Sequence, residues 1–214
     1  GADCDLRKRA GKVLRRGAGL TRMAVPGPAE IFRAVYGCWC LALGRPGAID
    51  LFDRSETGFY RSFFVAVLVL PAFVLSDVIN GAATWLDGGV LDWVSYALRY
   101  AIYWLVFPVA ACIIAEKIGV LDRILDLLVP YNWVTLPFGY LFCVLTMIGA
   151  GEGPVADLAG TLRLFAWLGL LFLMFRWART LLGVSALMAF GFVLADELFS
   201  TLAYLLLESI AVSM

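Results

Sequence analysis

The chain has 214 residues, 62% of them hydrophobic and 16% charged, with a formal net charge of zero and no His. Its mean hydropathy is +0.88, whereas a soluble domain is about half apolar, so an ordinary soluble globule is excluded and a membrane protein is expected. The missing His removes the commonest general base and metal ligand. No basic face on a polar core points to nucleic acid.

Residues 1–28 open with a basic stretch (Arg7, Lys8, Arg9, Lys12, Arg15, Arg16, Arg22). No apolar h-region follows closely, so no secretory signal is expected, and no fold is assigned to this stretch. Residues 29–60 read as an interfacial helix followed by a polar linker. The helix, over 29–43, starts behind Pro28 and stops at Gly44 with Pro46 beyond. Its apolar part is too short to span, and its Trp, Tyr and Phe with one Arg suit a helix lying in the headgroup plane.

Residues 61–206 contain five runs long and apolar enough to cross a bilayer, near 61–80, 94–115, 131–150, 160–178 and 184–206. Loop charges test this division independently. The segments 81–93 and 151–159 carry acids and no base, as does the 207–214 tail. The segment 116–130 carries Lys117 and Arg123, and Arg176 and Arg179 end the fourth run. Basic and non-basic connections alternate at every crossing. That pattern predicts five spans with a cytoplasmic N-terminus and the C-terminus outside, and four or six spans would break it. Eleven of the seventeen Lys and Arg lie in residues 1–61, on the predicted cytoplasmic side.

Residues 119–129 set Leu121, Leu125 and Leu128 against Asp122, Arg123 and Asp126, predicting a second in-plane helix on the cytoplasmic side. Asn132 then reads as a cap for the third span, with Tyr131 and Trp133 as interfacial residues. Pro71, Pro108 and Pro137 fall inside spans and predict kinks. The five Cys make no disulfide framework, and Cys38-Trp39-Cys40 has no second pair or His to complete a zinc site. No cofactor or metal is expected.

Ionisable residues inside spans are costly, so Asp77, Arg99, Arg163, Asp196 and Glu197 form the candidate intramembrane polar cluster. All five fall in the predicted outer half. On the last span Glu197, Thr201, Tyr204 and Glu208 recur at helical spacing as one polar stripe, with Asp196 and Ser200 flanking it. Two readings stand. The charges form a salt-bridge network, with Arg99 and Arg163 as counter-charges, that fixes helix register. Alternatively they line a polar vestibule open to the outer side. Catalysis is not expected, because adjacent carboxylates on a helix diverge by about 100°.

The layout resembles the Yip1-domain family: a cytoplasmic N-terminal stretch, a short amphipathic helix, then five spans. The segment "LALGRPGAIDLFDRSETGFYRSFFVAVLVLPAF" (41–73) is similar to the way bacterial members enter their first span. The Asp-Leu-Tyr-Gly-Pro segment of eukaryotic members is missing, so no functional residue carries over. The expected protein is an all-α, polytopic helix bundle without enzymatic activity, in a bacterial inner membrane. It would act as a scaffold or accessory subunit, its partners being the lipid bilayer and a membrane protein or second copy. The alternative is a small channel or transporter component using the polar cluster around Glu197.

Overall fold

A computed structural model describes residues 25–213, and within the last helix the side chains of residue 204 and of 206–213 are outside the description. Most of the basic stretch 1–28 therefore lies outside the described residues, as do the Tyr204 and Glu208 side chains of the predicted stripe. The described chain runs α1 (Pro28–Ala42), α2 (Glu56–Ser62), α3 (Phe64–Ile79), α4 (Val90–Ile118), α5 (Ile124–Gly149), α6 (Pro154–Leu182) and α7 (Ala186–Ser213), with short 3-10 turns at Ala48–Leu51, Thr84–Leu86 and Leu121–Arg123. No strand occurs among the described residues. Five helical segments are long and apolar enough to cross a membrane, the first being α2 and α3 together. This is the architecture of a multi-pass membrane protein.

Local chemistry sets the ends of these helices. Pro28 stands in the first turn of α1, where its missing N–H is no loss. Ser55 caps α2, its hydroxyl accepting the Gly58 N–H at 3.0 Å. Gly119 and Gly183 close α4 and α6 in the left-handed region, at φ +74° and +66°.

The spans pack as a ring in the order α3, α5, α6, α7, α4. Aromatic side chains close it between α4 and α3: Tyr100 donates to the Ala66 carbonyl at 2.6 Å and stacks edge-on with Phe73. Pro71 explains part of this arrangement. Lacking an N–H, it leaves the Val67 carbonyl without its helical donor. Tyr100 from α4 and Tyr140 from α5 donate to the carbonyls on either side, Ala66 and Leu68. The weakened turn of α3 is thus held from both flanks, as a helix break within a bundle requires.

Two sequence expectations change. Residues 119–129 do not form a separate in-plane helix; a 3-10 turn at Leu121–Arg123 runs straight into α5. Of the predicted apolar face, Leu128 is fully buried against protein and Leu125 partly, with Ile124 and Leu127 buried beside them, while Leu121 in the 3-10 turn stays exposed. Asn132 is not a cap. It sits two turns inside α5, fully buried, and its Nδ2 donates to Ser62 Oγ at 2.7 Å.

The core lies toward the end of the bundle that carries α1. Val65 and Val69 of α3, Trp104, Phe107, Ala111 and Ala115 of α4, Leu127, Leu128, Val129, Trp133 and Val134 of α5, Trp177, Ala178 and Leu182 of α6, and Ala189 and Phe192 of α7 are all buried there. Helix α1 docks onto this core through Ala34, Gly37, Cys38 and Leu41. Three polar ties hold it. Glu30 pairs with Arg61, the Cys38 thiol donates to the Pro130 carbonyl, and Arg176 donates to the carbonyls of Leu41 and Ala42 that end the helix. On the opposite face Phe32, Tyr36, Trp39 and Leu43 recur at helical spacing and are all more than half exposed. An aromatic face of that kind fits the headgroup level expected for this helix.

Candidate functional site

In the half of the bundle away from α1 the helices stand apart, and two recesses open between them. The deeper one, of about 250 Å³, is bordered by all five spans: Phe73 of α3, Tyr103 of α4, Tyr131, Thr135 and Phe142 of α5, Trp167 of α6, and Asp196, Glu197 and Ser200 of α7. The larger one, of about 600 Å³, lies between α3, α5 and α6 and holds Ser76, Asp77, Thr146, Gly160 and Arg163. Phe73, Gly139, Phe142 and Trp167 wall both, so the two are continuous neighbours. Gly139 is what lets α3 and α5 close at this point: a Cβ there would run into the Val69 side chain.

Asp196 anchors the deeper recess. The Tyr131 hydroxyl donates to it, lying 2.9 and 3.0 Å from its two oxygens, and Ser200 stands 3.5 Å away, one turn along α7. Glu197 is half-buried and lies beside Trp167. Two carboxylates thus share a recess whose lining contains no Lys or Arg. The floor is closed: the rings of Phe107 and Tyr131 stack 4.3 Å apart, and Leu127, Met174 and Phe192 pack beneath.

The predicted cluster therefore separates into two groups. Asp77 and Arg163 line the larger recess, and Arg99 lies near Asp77 and Tyr96. Asp196 and Glu197 occupy the deeper one. Among the described residues, no ion pair joins Arg99 or Arg163 to a carboxylate; the pairs are Arg54 with Asp50 and Asp126, Arg61 with Glu30, and Arg123 with Asp122. The stripe also turns. Thr201 is exposed, while Asp196 and Ser200 face the interior. Asp196, expected beside the stripe, is the more tightly held carboxylate.

Tyr131, Thr135 and Trp167 are not among the site residues expected from sequence. Tyr131 reads as an interfacial residue when the third span starts at 131. With α5 starting at Ile124, it lies about 10 Å inside. The available signal was Asp196 and Ser200 at i, i+4, one face of one helix. Among the described residues no three His, Cys, Asp or Glu side chains gather as a metal site.

No family model matches the chain, and neither a curated protein nor a solved structure is found to be similar to it.

Proposed function

We propose that the chain is a transporter component that binds a cation in the recess at Asp196 and Glu197. The observation that carries this reading is the pair of carboxylates in a walled recess without a basic neighbour. An uncompensated charge held away from water costs several kcal/mol, on the order of 3–5, and a bound cation removes that cost. The closed Phe107–Tyr131 floor favours a carrier, which must repack to release its cargo, over an open pore. Under this reading the α1 end is cytoplasmic and the recesses face outward across a bacterial inner membrane. The bases at Lys117, Arg123, Arg176 and Arg179 support that orientation, as do the acids Asp87 and Glu152 in the opposite loops. A Cys at position 152 is then labelled by an impermeant maleimide from outside, and labelling from the cytoplasmic side alone sinks the orientation.

The test of function is binding by the whole protein in lipid nanodiscs to sodium, potassium, calcium and methylammonium chlorides. The Asp196→Asn, Glu197→Gln double variant is the control. At least one cation binds saturably to the native chain and about tenfold more weakly to the variant; no saturable binding by any of them overturns the reading. A second reading, a scaffold or accessory subunit with the Yip1-like layout, draws on the exposed aromatic face of α1. It predicts a stable assembly with a membrane protein or a second copy, visible as added mass in native mass spectrometry of detergent-extracted protein.

A further inference from the structure

Resting on that reading, we infer that the cation is an organic ammonium carrying an apolar chain, and that it reaches the recess sideways from the membrane between α3 and α6.

The walls set the chemistry. A volume of about 250 Å³ is several times the roughly 30 Å³ that one water occupies in the liquid, far more than a dehydrated metal ion fills. Hard metal ions want six to eight oxygens at close range. Here two carboxylates and a few hydroxyls share the lining with apolar groups. Six of the lining residues are aromatic: Phe73, Tyr103, Tyr131, Phe138, Phe142 and Trp167. Aromatic faces carry negative quadrupole and attract weakly hydrated cations, quaternary and alkyl ammonium groups above all. Carboxylates beside them supply the charge. An inorganic ion would leave the rings unused, and a neutral apolar ligand would leave Asp196 and Glu197 uncompensated.

The route follows from packing. Helices α3 and α6 each pack on α5 but hardly touch one another. Between them lies the larger recess, with Gly160 on one side and nothing within 4 Å of the position a Cβ would take there. Its inner wall is also the wall of the deeper recess. An ammonium at Asp196 can therefore extend its chain past Phe142 and Trp167 toward the gap. Arg163 and Asp77 at that level set a polar rim suited to the headgroup region.

The probe is octylammonium chloride titrated into the full chain in zwitterionic lipid nanodiscs. 1-Octanol supplies the chain without the charge, and tetramethylammonium supplies the charge without the chain. Octylammonium binds saturably, with octanol and tetramethylammonium each at least about tenfold weaker. Asp196→Asn with Glu197→Gln weakens octylammonium about tenfold or more, and Trp167→Leu weakens it severalfold. Gly160→Phe, placed in open space, weakens octylammonium more than methylammonium without lowering the unfolding temperature. Sodium or calcium binding that octylammonium fails to displace overturns this inference and leaves the cation site standing. Octylammonium binding that survives the double carboxylate variant, or saturable binding by no cation, overturns both.

Discussion

The two ends of the bundle are built by opposite rules. At the α1 end side chains interdigitate and most charged and amide groups find partners: Asn132 Nδ2 with Ser62, Glu30 with Arg61, Arg54 with Asp50 and Asp126, Arg176 with the last carbonyls of α1. Asn132 Oδ1, Arg61 Nε and the Trp177 indole N–H are buried there without one. At the far end the helices diverge, the recesses open, and the charged groups Arg163, Asp196 and Glu197 have no ion-pair partner among the described residues. In a membrane the hydrophobic effect does not drive helices together, so packing and polar contacts must do so. Concentrating both at one end leaves the other free to stay open. Close packing and open recesses thereby fall to different halves of the same helices.

Matched substitutions should separate the halves most sharply at tryptophan. Trp177 of α6 is fully buried in the core, and Trp167, ten residues earlier on the same helix, is 37% exposed on a recess wall. Removing a large core aromatic costs about 3–5 kcal/mol, so Trp177→Ala should lower stability by about that much in reversible unfolding. Trp167→Ala should cost about 1 kcal/mol or less, as expected away from packed contacts. Equal losses at the two positions would break the comparison.

The next effect is at the joint of α1. Arg176→Ala strips the donors from the last carbonyls of α1, and hydrogen bonds to charged groups contribute about 1.5–3 kcal/mol. A stability loss of about 2 kcal/mol is expected by that scale, together with faster hydrogen exchange over residues 38–43. Unchanged exchange there would mean that apolar docking alone holds the helix.

Glycine gives a third contrast. Gly139→Ala pushes a methyl into Val69, and overpacking of this kind costs about 1–3 kcal/mol. Gly160→Ala meets nothing and should be neutral within about 0.5 kcal/mol. Thermal unfolding of both, measured side by side, checks the pair.

How much of this was legible depends on the scale of the signal. Five spans follow from apolar runs of about twenty residues, and no tertiary detail can hide them. The first helix was equally plain, bracketed by Pro28 and Gly44. The depth of Asp77, Arg99, Arg163, Asp196 and Glu197 could be reckoned from rise per residue. Their pairing could not. It depends on how far each helix is rotated about its axis, and a shift of one residue turns a side chain by about 100°. Hence Asp196, not Glu197, meets Tyr131. The start of α5 was misplaced for a related reason: an amphipathic segment looks alike whether its apolar face meets lipid or α1. Gly139 carries no sequence mark at all, because only the approach of Val69 makes its missing side chain matter.

The smallest expected effect tests whether polar matching at the α1 end reaches into the loop before α2. Asp53 accepts the Ser55 hydroxyl at 2.7 Å and the Ser55 N–H at 3.1 Å. The hydroxyl bond, then the Ser55 N–H and the nearby Arg61 and Arg33, outweigh partial burial and hold its carboxyl below the usual carboxylate range. A carboxylate with a lowered folded pKa stabilises the fold above its unfolded pKa, about 3.9. That contribution is lost as pH falls through the folded value. The native chain should therefore lose a small increment of stability from about pH 5 downward that Asp53→Ala lacks, so the two unfolding temperatures converge on acidification. A gap that widens toward low pH would reverse the sign. It would show Asp53 to be a strained group at this joint, and the matched end of the bundle would then stop at Arg61.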